Sequence, residues 1–344
     1  MIRQVNAAEN QLRCNQDITY TSHIVDKASN TETWKIAIMD GHGKLKYSNI
    51  HPFTQKYEKY NLCVDVLREM KVMKKGQTEP ELEYHFSKDI FGEEDPALSL
   101  QRAFCKIAID YDQNLLKVGA TLSLVKIIHD KNTRKIKVEV ITVGDSPVSI
   151  FCNGEHVFES VLHNDNNPDE IIRLLNEGRI VKGTSYFNPG NSFEILDNDF
   201  MSYKPGFYFN TTGVSLQMSQ SLGHIEKQGK KIMEETGVLG LCPFKASLEF
   251  EETDELNIKV YSDGVGDVIL PKTLDRDYNF MKTSTALQTV EYATIRWKKN
   301  WKYCSSQDYH ANKSSKIDIP YSDITLSSTD DISCVSWIQK KKTL

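Results

Sequence analysis

The sequence holds no C-x-x-C pair. Its seven cysteines stand far apart, at Cys14, Cys63, Cys105, Cys152, Cys242, Cys304 and Cys334. The common zinc and redox spacings are thereby excluded, and an odd count speaks against a closed disulfide framework. An apolar leader is missing too: Met1-Ile-Arg-Gln-Val-Asn6 has no hydrophobic stretch of the secretory kind. No apolar run approaches the roughly 18 residues of a membrane helix, so the sequons at Asn210 and Asn312 are read as chance matches. A basic face is also lacking. Lys and Arg number 42 against 47 Asp and Glu, a formal net charge of −5, and the Lys340–Lys342 run is short, so no nucleic-acid partner is expected. These absences predict an intracellular, reducing compartment, cytoplasmic or nuclear, with no membrane partner.

What is present is an ordinary globular composition. Of 344 residues, 39% are hydrophobic and 26% charged, enough to bury a substantial core without staples. Short β-branched or alternating runs predict strands at Trp34–Met39, Thr121–Ile128, Lys135–Val143, Ser149–Phe151, His156–Phe158, Phe207–Phe209, Leu256–Tyr261 and Ile332–Ile338. His129–Thr133 suits a hairpin loop, and Asn153-Gly154 suits a type I′ turn. Apolar spacing of three to four predicts helices over Phe53–Lys75, Leu98–Leu116, Glu170–Asn176 (closed by Gly178) and Thr283–Lys299. Strands arriving as hairpins and helices in pairs favour an α+β fold with largely antiparallel sheets over a parallel alternating one. With no internal repeat and no low-complexity linker, residues 1–344 read as a single domain and a monomer. A polar, turn-rich loop is expected near 300–328.

One pattern is not required by folding. An apolar strand ends and an aspartate beside glycine or serine follows: Trp34–Met39 into Asp40-Gly41-His42-Gly43, Val138–Val143 into Gly144-Asp145-Ser146, Ile258–Tyr261 into Ser262-Asp263-Gly264. Near the C-terminus Asp330-Asp331 precedes the strand Ile332–Ile338. A single Asp-Gly after a strand is more often a turn than a ligand, by roughly five to one. Four in one chain point elsewhere. Converging carboxylates repel unless protons or cations join them, and hard cations such as Mg²⁺ or Mn²⁺ take oxygen ligands.

Asp40-Gly-His-Gly43, Gly119-Ala-Thr121, Gly144-Asp-Ser146, Ser262-Asp-Gly264 and Asp330-Asp-Ile-Ser333 together resemble the ordered signature of the protein phosphatase type 2C (PPM) family. Asn176–Ile180 and Leu216–His224 are similar to weaker family segments between them, so the resemblance runs from about Asn15 to Trp337. It implies a four-layer αββα sandwich, two antiparallel sheets flanked by pairs of helices, that hydrolyses phosphoserine or phosphothreonine in proteins. It also implies two Mn²⁺ or Mg²⁺ ions and a weaker third. On this resemblance Asp40 bridges two metals and the Gly41 carbonyl binds the second. Asp263 and Asp330 hold the first, and Asp145 with Asp263 takes the third. A water between the metals attacks phosphorus, and His42 is the general acid.

The chain departs from the family pattern at the N-terminal segment. Where the family has Glu-Asp, this sequence reads Gln16-Asp17, an uncharged amide beside a carboxylate at the second metal. The phosphate-binding arginine falls one place late, at Arg13. Gln220 and His224 replace an Arg and an Asp, a change expected to affect the surrounding flap more than the chemistry. The rival function is a pseudophosphatase, a binding or scaffolding module on the same fold. Gln16 favours it, and the retained Asp40, His42, Asp145, Asp263 and Asp330 oppose it. A calcium loop at Asp165–Asp169 fails on spacing, since Glu170 and Asn176 stand where an EF-hand needs Gly and Glu.

Overall fold

A computed structural model of the chain describes residues 1–10, 17–42, 45–46, 59–60, 95–110, 115–164, 167–180, 192–195, 199–201, 207–209, 214–216, 218–269, 275–298, 301–304, 322–324 and 330–341. The helix expected over Phe53–Lys75 falls almost wholly outside these residues, as do Arg13 and Gln16.

Ten strands build two sheets. They are β1 (Ile2–Asn10), β2 (Ile18–Asp26), β3 (Thr31–Met39), β4 (Leu122–Asp130) and β5 (Lys135–Val143), then β6 (Val148–Cys152), β7 (Glu155–Glu159), β8 (Phe244–Glu251), β9 (Leu256–Tyr261) and β10 (Ile332–Lys340). One sheet has the order β1-β10-β9-β6-β7, the other β8-β5-β4-β3-β2. Every neighbouring pair is antiparallel.

The sheets share a core. Trp34, Ile36 and Ile38 on β3 and Val125 and Ile127 on β4 pack with Ile258 and Val260 on β9 and Trp337 on β10. The alternate residues of the same strands face outward and are covered as well. Ala37, Met39 and Leu124 lie against Leu100, Ala103 and Phe104 of α1 (Pro96–Asp110). On the opposite side Tyr261 and Cys334 lie under α3 (Asp263–Gly266), α4 (Asp275–Met281) and α5 (Ala286–Trp297). Burial on both faces is why the end of β3 reads as an unbroken apolar run rather than an alternating one, and why Asn257 and Lys259 on the outward face of β9 are buried too. The sequence thus yields an α+β architecture of two stacked antiparallel sheets with helices on both outer faces. On the α1 face only that one sheet-covering helix lies among the described residues.

Local signals account for several boundaries. Asn153 and Gly154 both have positive φ, 52° and 84°, as a type I′ turn between β6 and β7 demands. α2 (Pro168–Asn176) is capped by Asn167, whose side chain accepts from Asp169 N. α5 starts at Ala286 rather than Thr283, because Thr285 is its N-cap and forms a reciprocal capping box with Gln288. α1, Pro96–Asp110, begins two residues before the expected Leu98, and Leu115 and Leu116 at the expected end lie outside the helix. In the polar stretch near 300–328, Trp301–Cys304 and Ser322–Ile324 pair as short antiparallel strands. The rest of that expected loop lies outside the described residues.

Candidate active site at the strand ends

Strand register gathers the aspartates. Ile18 pairs with Met39, so Asp17 before β2 and Asp40 after β3 leave the sheet side by side. Tyr261 pairs with Cys334, which does the same for Asp263 after β9 and Asp330-Asp331 before β10. Stacking the two sheets brings both pairs to one edge.

Their electrostatics show the convergence. Burial raises the Asp17 carboxyl to about 7, with Asp263 and Asp331 adding to the shift while hydrogen bonds from Ser333 and Ser262 oppose it. Asp40 is held well above the ordinary carboxylate range, first by burial, then by Asp17 and Asp263, with a hydrogen bond to Asp263 and the charge of Asp330 adding to it. Carboxylates crowded this way take up protons in place of cations. Among the described residues no group of three or more His, Cys, Asp or Glu side chains is placed to hold a metal ion. The donor chemistry nevertheless fits a hard divalent cation, since Asp17, Asp40, Asp263 and Asp330 supply only oxygen.

Backbone and hydroxyl contacts fix these carboxylates. Asp40 N donates to Thr121 Oγ1 at 3.1 Å, and Thr121 N donates to Asp40 O at 2.8 Å. Thr121 Oγ1 is also 2.8 Å from Ser146 Oγ, which ties the Gly144-Asp145-Ser146 turn to Asp40. Gly144 has φ 99°, and a Cβ there would lie 2.6 Å from Thr121 Cγ2, so only glycine fits. Asp145 itself is buried. On the other sheet, Ser262 N donates to Ser333 O at 3.1 Å and Ser333 N to Ser262 Oγ at 3.0 Å. Trp297 Nε1 donates to Gly264 O at 2.6 Å, pinning the turn that carries Asp263 to α5.

Gly41 and His42 form a two-residue strand beside Gly119-Ala120, which in turn pairs with Leu222-Gly223. This small sheet delivers His224 to His42. Their Nε2 atoms are 2.7 Å apart and their rings stack at 4.9 Å with a 19° tilt. Ser221 Oγ lies 3.2 Å from the same His42 nitrogen. Burial holds His42 well below its ordinary pKa, His224 adds to this, and Asp263 opposes it. His224 is therefore in contact with the candidate general acid, whereas the sequence suggests that its change affects the flap more than the chemistry. Gln220 has other partners. It is buried, donating to Glu170 Oε1 at 2.8 Å and accepting from Cys242 N at 2.8 Å.

Asp331, His224 and Ser333 touch the candidate site residues, although the sequence assigned none of them a part in the chemistry. Asp331 has a signal, its adjacency to Asp330. His224 has none beyond its departure from the family residue, because the contact arises from pairing across 182 residues.

No protein-family model matches the chain and no curated protein matches it in sequence. Solved structures similar to it include a sex-determining protein of C. elegans, at 13% identity and a TM-score of 0.47 over 97% of this chain, which spans 64% of that longer one. The serine/threonine phosphatase PstP/Ppp of Mycobacterium tuberculosis is similar at 13% identity and a TM-score of 0.43, covering 99% of this chain and 100% of that one. Serine-threonine phosphatase 2C of Toxoplasma gondii is similar at 14% identity and a TM-score of 0.42, covering 97% and 99% of the two chains.

Proposed function

We propose that this chain is a Mn²⁺- or Mg²⁺-dependent phosphatase acting on phosphoserine or phosphothreonine in proteins. The observation that supports the reading is the gathering of Asp17, Asp40, Asp263 and Asp330 at one sheet edge beside His42. These carboxylates would hold the cations, with the Gly41 carbonyl and Asp145 as further ligands. When bound, the cations supply Lewis acidity and an activated water. Asp40, fixed through its backbone to Thr121, would anchor this ligand set at the strand end. Arg13 binds the phosphate. His42 gives a proton to the departing serine or threonine oxygen, and the charge of the arriving phosphate favours the imidazolium it needs.

The test is hydrolysis of a phosphothreonine peptide by the full chain with Mn²⁺, with Mg²⁺, or with excess EDTA. Turnover restored by either cation and lost in EDTA is expected. Full activity in EDTA overturns the metal mechanism. No turnover under any condition favours the rival reading of a pseudophosphatase, a binding or scaffolding module on the same fold, for which Gln16 in place of an acid is the supporting feature.

A further inference from the structure

We propose that His224 is a positioning residue that fixes the His42 imidazole in its Nε2–H tautomer, leaving His42 Nδ1 as the atom that exchanges a proton with the leaving oxygen. The inference rests on the phosphatase reading for the identity of the reaction, but the contact itself does not.

The proton assignments follow from hydrogen-bond chemistry. His224 Nδ1 lies 2.9 Å from the Leu116 carbonyl oxygen. A carbonyl only accepts, so Nδ1 carries the hydrogen and the neutral ring presents Nε2 as a lone pair. Burial keeps that ring neutral, with its pKa lowered to about 4. The 2.7 Å contact between the two Nε2 atoms then requires the hydrogen to sit on His42 Nε2. Ser221 agrees. Its hydroxyl lies within hydrogen-bond distance of the Ala120 and Leu222 carbonyls, at 3.1 and 2.8 Å, so its single hydrogen points to a carbonyl and its oxygen accepts from His42. Both described neighbours of His42 Nε2 are acceptors.

The fold goes to some length to hold His224 there. Its φ is 49°, in the left-handed region that a non-glycine residue rarely adopts. Its N donates to Val118 O at 2.8 Å, and its O accepts from Val238 N at 3.1 Å. The preceding Gly223 is clamped on both sides by the buried Gln101 side chain, at 2.8 and 3.1 Å. A Cβ on Gly119 would fall 2.5 Å from His224 Nε2, so glycine there opens the notch that the ring fills. A backbone outlier over-determined by its surroundings is an observation from which function is inferred.

The chemistry balances. In the reacting complex His42 carries protons on both nitrogens. As the oxygen of water bonds to phosphorus, its protons staying on the phosphate product, the bond from phosphorus to the leaving oxygen breaks with its electron pair going to that oxygen, the Nδ1–H bond breaks and an O–H bond forms. Neutral His42 remains with Nε2–H still donated to His224. Nδ1 is buried in the substrate-free protein, which screens the transfer from bulk water.

Two measurements on the full chain test this. Long-range ¹H–¹⁵N spectra of histidine-labelled protein should show His224 as the Nδ1–H tautomer and His42 as the Nε2–H tautomer, with His42 losing that preference in His224→Phe. In kinetics, His224→Phe should slow a phosphothreonine peptide roughly tenfold more than 4-nitrophenyl phosphate, whose good leaving group needs little protonation. His42→Ala should show the same selectivity, the double variant no further loss, and His224→Gln, which retains an acceptor, partial rescue. An Nε2–H tautomer on His224, an unchanged His42 tautomer in the Phe variant, or equal slowing of both substrates overturns the proposal. Should His224→Phe fail to fold, the wild-type tautomers decide. A wild-type protein inactive on both substrates sinks the phosphatase reading, and the spectra still judge the contact.

Discussion

Ser333 Oγ donates a 2.7 Å hydrogen bond to Asp17 Oδ2 across 316 residues of sequence. The bond favours the charged carboxylate, while burial and the charges of Asp263 and Asp331 disfavour it, and the balance leaves Asp17 at about 7. The second residue of β10 thus steadies a carboxylate just ahead of β2, in the other sheet.

That balance makes stability depend on pH and on cations. With the Asp17 pKa raised in the fold from an ordinary value of about 4 to about 7, the native state binds more protons than the unfolded one between those values. Stability of the cation-free protein therefore falls as pH rises through that window. Mn²⁺ should raise the melting temperature more at pH 7.5 than at pH 5, since at the lower pH it must displace protons. A cation present at 100 times its Kd stabilises by about 2.7 kcal/mol. Calorimetry at both pH values checks this, and a larger cation effect at pH 5 contradicts the assignment.

Asp40→Asn separates function from stability. The amide keeps the shape of the side chain and removes one of the mutually repelling charges. The variant should melt higher than the parent without cations at pH 7.5, while turnover drops on the order of 10²-fold or more, because a ligand of the activated water is lost. Asp263→Ala and Asp330→Ala should match the loss of turnover. Near-normal kinetics in any of the three rejects the role given to that residue.

Gly264 shows how tightly the two halves of the site approach. A Cβ there would lie 2.1 Å from the Asp331 carbonyl oxygen, a backbone atom that cannot swing aside. Gly264→Ala should cost roughly 1–3 kcal/mol as overpacking and should weaken cation binding, because Asp263 and Asp330 are pushed apart. Denaturant melts with and without Mn²⁺ measure both effects. An unchanged midpoint and cation response would mean that the approach is not needed.

Most of the sheet core was legible in the sequence. Lys135–Val143 and Leu256–Tyr261 match their strands end to end, because β-branched runs bounded by turn residues have few alternatives. β1, β2 and β8 were not anticipated. β8 alternates half-buried Phe244, Ala246, Leu248 and Phe250 with exposed Lys245, Ser247, Glu249 and Glu251 along its whole length, a period-2 signal that was there to be read. β1 and β2 are sheet edges rich in polar residues, and their pairing depends on partners far away in sequence. Asp40, Asp145, Asp263 and Asp330 were readable because each follows or precedes a strand. The contact of His42 with His224 was not, since it is made by two-residue strands whose pairing has no local signature.

Gln16→Glu tests the N-terminal departure. Restoring a carboxylate beside Asp17 should lower the Mn²⁺ or Mg²⁺ concentration for half-maximal activity about tenfold, equivalent to about 1.4 kcal/mol. The driving term is a new negative charge near a divalent cation, worth a few kcal/mol at an effective dielectric of about 20 before desolvation is subtracted. Metal titration of both forms checks it. An unchanged or weaker requirement rejects the alignment of Gln16-Asp17 with the metal-binding segment.

Lys259 offers a test of the helix-covered face, away from the catalytic chemistry. Its side chain is fully buried on β9. The amine donates to Ser284 O and Ser284 Oγ at 2.7 Å and to Thr289 Oγ1 at 3.0 Å, joining the sheet to the start of α5. Burial lowers its pKa to about 8, against an ordinary value of about 10.4. Between those values the unfolded chain holds a proton that the native state has released, so this group's contribution to stability rises with pH through the window. Lys259→Met should remove that rise and cost about 1–3 kcal/mol at pH 7, because buried acceptors lose their donor. The buried thiols of Cys105 and Cys334, held up at about 11, pull the other way above the ordinary cysteine pKa. The decisive quantity is therefore the difference between the two proteins. Urea melts of both from pH 7 to pH 9.5 should show that difference widening as pH rises. A constant or narrowing gap would mean that Lys259 keeps its charge in the fold.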